Sequence, residues 1–453
     1  MNNSSEYNPY QVTKDKIIAA PLGFWQRMRY LGPGFILSAS IVGSGELIAT
    51  TRLGAEAGFV TLWVILVSCL AKVAIQLEFG KRAIYSGNST MQALNSLPGW
   101  RLGKAHWTIW TWLVLMTLKI IQNGAILGGT AIILQIVFPE IPIPVWCYLV
   151  AITVSLLIYR GKYQPIETFS LIFTGLFALL TFASLFAVQF TPMQISLEEL
   201  VSGLIFQLPA EAVLVAIGAF GITGVGGDEI LAYNYWLIEK GYAANTGPRE
   251  KSMEWEIRAK GWIKVMYLDA ILSMVIYTVM TAAFYLLGAA ILHRQDLLPA
   301  GMEVVETLSR LYTESLGNWA GSMFLLGAFM VLYSSLFSAL GAWSRLFSDA
   351  FGQIGWLNFQ NTKQRHLAIG ILAWFFPLSW ASLFLIMKTP VLMVTIGGLI
   401  TTVILLIVVF AALHFRYRQV PASLIPGKIY NIAFWISVVS IIFVAIYGIY
   451  KLL

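Results

Sequence analysis

Two short stretches of this chain place carboxylates directly after closely spaced glycines inside otherwise apolar sequence. The first reads Val42-Gly43-Ser44-Gly45-Glu46-Leu47-Ile48-Ala49. The second reads Val225-Gly226-Gly227-Asp228-Glu229-Ile230-Leu231-Ala232, with Gly224 immediately before it. They align without a gap: Val, Gly, Glu and Ala coincide, and Leu-Ile is exchanged for Ile-Leu. Each glycine weakens a helix by about 1 kcal/mol relative to alanine. Within a membrane, unwound backbone persists only where it lines a protein cavity. Unwinding there frees carbonyls at the end of one half-helix and N–H groups at the start of the next, which can bind cations and anions respectively. Glu46, Asp228 and Glu229 would add hard oxygen ligands beside such breaks and are the candidate metal ligands. The expected chemistry is therefore reversible binding. The competing reading, that the glycines only let helices pack closely, accounts less well for two matched breaks each followed by a Glu. The candidate substrate site is thus Gly43, Ser44, Gly45 and Glu46 with Gly224, Val225, Gly226, Gly227, Asp228 and Glu229.

Other polar residues stand in the same apolar surroundings. Lys119 lies close to Gln122 and Asn123. An ionisable group inside a membrane is costly and is usually paired or functional. Lys119 is either salt-bridged to a site acid or functional, as a counter-ion that the substrate displaces or a direct ligand for an anionic substrate, and both readings stand. Lys72 is similar, with Glu78 on the same helix as a possible member of its network. Glu78 and Arg82 have the i, i+4 spacing of a structural pair. Tyr233 and Asn234 follow the second break and could line a pathway. Asp269 is expected to hydrogen-bond a neighbouring helix, Glu167 and Glu211 to be solvated near span ends, and His293 to be a surface residue. Cys69 and Cys147 fall in apolar runs and suggest neither a disulfide frame nor a metal motif.

These residues need elements that hold them in lipid. Of 453 residues, 58% are hydrophobic and 11% charged, too few charges to cover a soluble surface. The apolar runs are long enough to cross about 30 Å of hydrocarbon, which takes roughly 20 helical residues, and only helices cross as isolated runs of that length. The fold class is an all-α polytopic membrane protein. Eleven spans are expected at approximately 33–51, 58–80, 106–137, 144–159, 165–189, 210–237, 262–292, 318–347, 366–387, 390–414 and 430–450. The segment 301–316 carries Val304, Val305, Leu308 and Leu311 at helical spacing and suggests an amphipathic helix at one interface. Alternating the sides of these spans leaves Arg52, Arg294, Arg310, Lys388 and Lys451 on one face, while most of the 29 Lys and Arg residues fall on the other. That bias puts the N-terminus in the cytoplasm and the C-terminus outside, in what would be a bacterial inner membrane. The net charge of +7 then reports topology and contact with anionic lipid rather than nucleic-acid binding. No signal peptide is evident in the polar first 22 residues.

Five spans separate the first glycine stretch from the second, so the two copies run in opposite directions. This is the pattern of an inverted repeat. The expected organisation is a cytoplasmic segment over 1–30, a first repeat over 31–190, a second over 205–415 and an added eleventh helix over 416–453.

The chain resembles the Nramp family of divalent-metal transporters, which share the LeuT-type fold. The likeness runs from Gly32-Pro33-Gly34-Phe35 through Leu62-Trp63-Val64-Ile65-Leu66 and Gly128-Gly129-Thr130-Ala131-Ile132 to Asp269 and Leu316-Gly317. It implies helices one and six broken at the site and alternating access to it. The departures fall on the ligands. Where the family has Asp-Pro-Gly-Asn, this chain has Gly43-Ser44-Gly45-Glu46; where the family has Met-Pro-His-Asn, it has Val225-Gly226-Gly227-Asp228. An acidic pair linked to proton movement aligns with Asn123 and Ile126. Loss of the thioether removes the preference for soft metals, and the gained acids suit Mg²⁺, Mn²⁺ or Ca²⁺.

The leading expectation is a secondary transporter of a hard divalent cation, Mg²⁺ or Mn²⁺, with proton coupling weakened or altered. The alternative is a carrier of a small organic solute such as an amino acid or carboxylate, to which the Gly43-Ser44-Gly45 backbone and Lys119 would be suited. A receptor or scaffold is a weaker third reading, since no sizeable soluble segment is present. No nucleotide-binding loop, hydrolase elbow or zinc spacing occurs, so neither an enzyme, a cofactor nor an ATPase partner is expected.

Overall fold

The structure, a computed structural model, describes residues 8–159 and 163–452. The side chain of Ser44 and several between 163 and 174, Glu167 among them, lie outside the described residues, as do Arg160 and Lys162. A helix stands at each of the eleven expected positions. Among the described residues, eight are long and apolar enough to cross a membrane and a bent pair over Pro33–Ala57 makes a ninth. The remaining two positions hold the shorter apolar helices Ile143–Ile158 and Gly175–Phe190, the latter the continuation of Tyr163–Ala187. The only strands described are the two-residue pair Arg101–Leu102 and Ala105–His106, which turns the chain into span three.

Span one begins at Pro33, whose missing N–H suits the first turn of a helix. The free amides of Gly32 and Gly34 donate at 2.9 and 2.6 Å to the Asp269 carboxylate on span seven. This is the cross-helix bond expected of Asp269, and it ties the entry of span one to Met253–Leu287. The span is α-helical over Pro33–Ile41, π-helical over Val42–Thr50 and α-helical again over Thr51–Ala57, with a 44° bend. Its break is thus a change of winding with a bend, not the unwound stretch that the glycines suggested. A π-helical turn shifts the backbone bonds by one residue and often marks a functional position. Ser335 on span eight meets the disturbed carbonyls, donating to those of Ala39 at 2.8 Å and Ser40 at 3.1 Å.

Span six breaks outright. Val213–Ile222 ends at Thr223, and a new helix runs over Gly227–Glu239. Gly224 has φ +61°, and a Cβ there would stand 2.7 Å from the Cys69 Cα, so only glycine fits the turn. Span ten, Pro390–His414, packs against both span three, Trp107–Val137, and the first half of span six. Span eight, Trp319–Ile354, lies against spans one, three and five. Val304–Leu316 is the amphipathic helix expected over 301–316, and its buried face is Val304, Val305, Leu308, Leu311 and Tyr312.

Candidate functional site

The two breaks meet through Glu46. Its side chain is fully buried, and Oε1 accepts the Gly224 N–H at 2.8 Å. The other oxygen accepts from the Thr281 hydroxyl on span seven. One carboxylate therefore joins the π-helical part of span one, the open turn of span six and the middle of span seven. The freed amide of Gly224 is thus satisfied by a side-chain oxygen from another span.

Asp228 and Glu229 occupy the first turn of the second half of span six, where negative charge complements the helix dipole. Asp228 forms an ion pair with Lys119 of span three and accepts the Trp343 indole N–H at 3.1 Å. Of the two readings open for Lys119, the structure displays the salt bridge; a substrate that enters would have to meet or part that pair. Glu229 is partly buried and, with Asp228, Ser40, Ser338 and Trp343, lines a small cavity of about 10 Å³, room for a water at most. Glu46, Asp228 and Glu229 are not brought to one point: among the described residues no three His, Cys, Asp or Glu side chains are grouped to hold a metal.

Gln122 and Asn123 lie buried one turn from Lys119. The Gln122 Oε1 and Asn123 Nδ2 atoms have no hydrogen-bond partner, a costly state that a bound ligand would relieve. Gly43 packs against span eight, and Ser44 and Gly45 continue the π-helical segment. Val225, Gly226 and Gly227 carry the chain through the second break. Tyr233 faces elsewhere: its hydroxyl donates to Asp269 Oδ2 at 3.0 Å, so it braces the entry of span one.

Several expectations about neighbouring charges are corrected. Glu78 belongs to the far end of span two, pairing with Lys81 at 2.7 Å and Arg416 at 2.8 Å, and not to a network with Lys72. Arg82 turns to Gln419 and Ser96 instead of Glu78, because Arg416 reaches Glu78 from another helix. His293 is exposed, as expected, with Nδ1 2.8 Å from the Ala55 carbonyl. Glu211 is exposed, as expected. Sequence reasoning passed over Thr281, Trp343, Ser68 and Gln76, since single polar residues in apolar helices carry no spacing signal. Both Gln76 side-chain polar atoms are buried without partners.

A sequence profile described as Nramp, natural resistance-associated macrophage protein-like, matches residues 34–451. An uncharacterized protein of Pasteurella multocida is 25% identical over 70% of this chain and 69% of its own length. The divalent metal cation transporters MntH of Latilactobacillus sakei and Staphylococcus aureus are each 24% identical, over 60% and 64% of this chain. The match spans only 56% and 59% of those two proteins' own lengths. Among solved structures, a manganese transporter of Eremococcus coleocola superposes with a TM-score of 0.59 over 97% of this chain and 99% of its own, at 16% identity. A Na⁺-coupled sialic acid symporter gives 0.56 over 96% and 91%, at 13% identity. MhsT, solved in complex with L-phenylalanine, gives 0.54 over 92% and 98%, at 16% identity. One fold thus spans carriers of very different cargo, and cargo must be argued from the site.

Proposed function

This chain belongs to the Nramp family, and from that premise we propose that it is a secondary transporter carrying a hard divalent cation, Mg²⁺ or Mn²⁺, across a bacterial inner membrane. The observation that carries the reading is Glu46: a fully buried carboxylate at the family's ligand position, bonded across both helix breaks to Gly224 and Thr281. Around it the oxygens are hard. The family's methionine position is Val225, which offers a metal nothing, so soft ions lose their preferred ligand. The unpartnered Gln122 Oε1 is a further neutral oxygen near the site. A dication entering here gains a second carboxylate when the Lys119–Asp228 pair opens, and Glu229 stands next to that pair. The repeats proposed to rock about this point are residues 31–190 and 205–415.

Proton coupling is weak in this reading. Asn123 and Ile126 stand where the family has an acidic pair; both are buried, and neither side chain can bind and release a proton. The second reading, a zwitterionic organic solute, draws on the Lys119–Asp228 pair, which presents both signs of charge at the site.

One assay separates these. Purified protein in liposomes, with a pH dye trapped inside, is offered Mn²⁺, Mg²⁺, Cd²⁺ and a panel of amino acids. The expected outcome is Mn²⁺ or Mg²⁺ uptake, weaker competition by Cd²⁺, and no stoichiometric acidification. Preference for Cd²⁺ would contradict the oxygen-ligand argument, acidification that tracks uptake would contradict the coupling argument, and competition by an amino acid would favour the organic cargo.

A further inference from the structure

Span two carries a buried cation whose direct partners are not carboxylates. Lys72 stands at the junction between Leu62–Ala71 and Val73–Ser86 and is wholly buried. Its Nζ donates at 2.6 Å to the Phe220 carbonyl and at 2.6 Å to the Thr223 carbonyl. These oxygens lie at the C-terminal end of the first half of span six, where the break leaves carbonyls without helical partners and the helix dipole is negative. Ser68, one turn earlier on span two, joins the same oxygens at 2.9 and 3.0 Å. The Thr223 hydroxyl in turn lies 2.5 Å from Ser68 Oγ. The ammonium also sits 4.9 Å from the centre of the Phe220 ring. Charged groups that face it from other elements are Glu46, Glu229 and Lys119.

Two carbonyls held in place by the Ser68 and Thr223 hydroxyls, in a buried and negatively polarised pocket, are the kind of oxygens that replace the hydration shell of an alkali cation. Here the pocket is filled by an amine belonging to the chain itself. We propose that Lys72 is a tethered monovalent cation: it occupies a Na⁺- or K⁺-type site at the break of span six and makes that site permanently loaded. The half-helix then keeps its cation throughout the cycle, and no free alkali ion is needed there. Removing the amine should uncover a site that an inorganic cation can refill.

The test is thermal melting of the purified protein, in lipid nanodiscs, in NaCl, KCl and choline chloride at equal ionic strength. The wild-type chain should melt at one temperature in all three. Lys72→Ala, which opens space beside the carbonyls, should melt lower in choline and rise saturably with Na⁺ or K⁺. Lys72→Met keeps the stem and fills that space, so it should melt lower and show no such rise. Should the alanine variant fail to assemble, Lys72→Ser supplies the same comparison with an added oxygen. A saturable Na⁺ or K⁺ response in the wild-type chain, or none in either small variant, overturns the proposal. Melting reads cation occupancy without any cargo, so this result stands apart from that of the transport assay.

Discussion

Glu46 and Glu229 each follow a glycine break, and the repeat alone would make them equals. Their surroundings do not. Glu46 is fully buried and satisfies a backbone amide and a hydroxyl from two other spans, whereas Glu229 borders a small cavity beside the Lys119–Asp228 pair. Glutamine at position 46 keeps one oxygen for the Gly224 N–H, and the Thr281 hydroxyl can turn to accept from the new amide. The substitution therefore removes charge more than shape. A dication that binds the Glu46 carboxylate loses a charged ligand in this variant, which costs several kcal/mol before relaxation, and about 1.4 kcal/mol is a tenfold change in affinity. Glu46→Gln should lower Mn²⁺ or Mg²⁺ affinity about tenfold or more, and Glu229→Gln less. Calorimetric titration of the two variants checks the order. Undiminished divalent binding by Glu46→Gln would remove it as a ligand and favour the organic solute.

The helices show how far a residue pattern reaches. Matched glycines located both breaks, but the same residue type permits a π-helical bend in one span and an open turn in the other. Which forms depends on what the neighbours offer. Ser335 meets the carbonyls of span one, while Lys72 and Ser68 meet those of span six. None of these three has a sequence spacing that points at a glycine far along the chain. The places of the two breaks were legible in the glycines; the scatter of the three acids and the pairing of Asp228 with Lys119 were not, because both depend on how spans three, six and eight approach. Packing at Gly43 gives a test of the bend. A Cβ there would fall on Ser335 Oγ and the Val331 carbonyl, so backbone must move. Gly175 on span five has nothing within 4 Å of such a Cβ, and Gly→Ala inside a helix is worth about 0.5–1 kcal/mol in its favour. Gly43→Ala should lower the melting temperature and abolish uptake, while Gly175→Ala should leave both unchanged or slightly raised. Equal behaviour of the two variants would show that the close approach of spans one and eight carries no weight.

At the scale of the whole molecule, the loops sort into two ends, and the basic residues sort with them. At one end Lys14 pairs with Glu250 at 2.6 Å, the Ile18 amide bonds the Asn245 carbonyl, Asn95 bonds Gln353, and Asn8 bonds the Gln360 carbonyl. At the other, Arg52 bonds the Pro299 carbonyl at 2.8 Å and Arg294 meets Glu199 at 2.5 Å. Contacts that join distant loops at a common end are what alternating spans require, and the end rich in Lys and Arg is the one expected to face the cytoplasm. The places of the spans were legible in composition, because hydropathy acts on each span separately and needs no knowledge of packing. A labelling experiment reads the result. Both native cysteines are buried and free, so a membrane-impermeant maleimide should find little background on intact cells. Leu22 is 87% exposed at the basic end and Leu298 is 47% exposed at the other. Leu298→Cys should label on intact cells, and Leu22→Cys only after the membrane is opened. The reverse pattern would invert the molecule and place the basic loops outside.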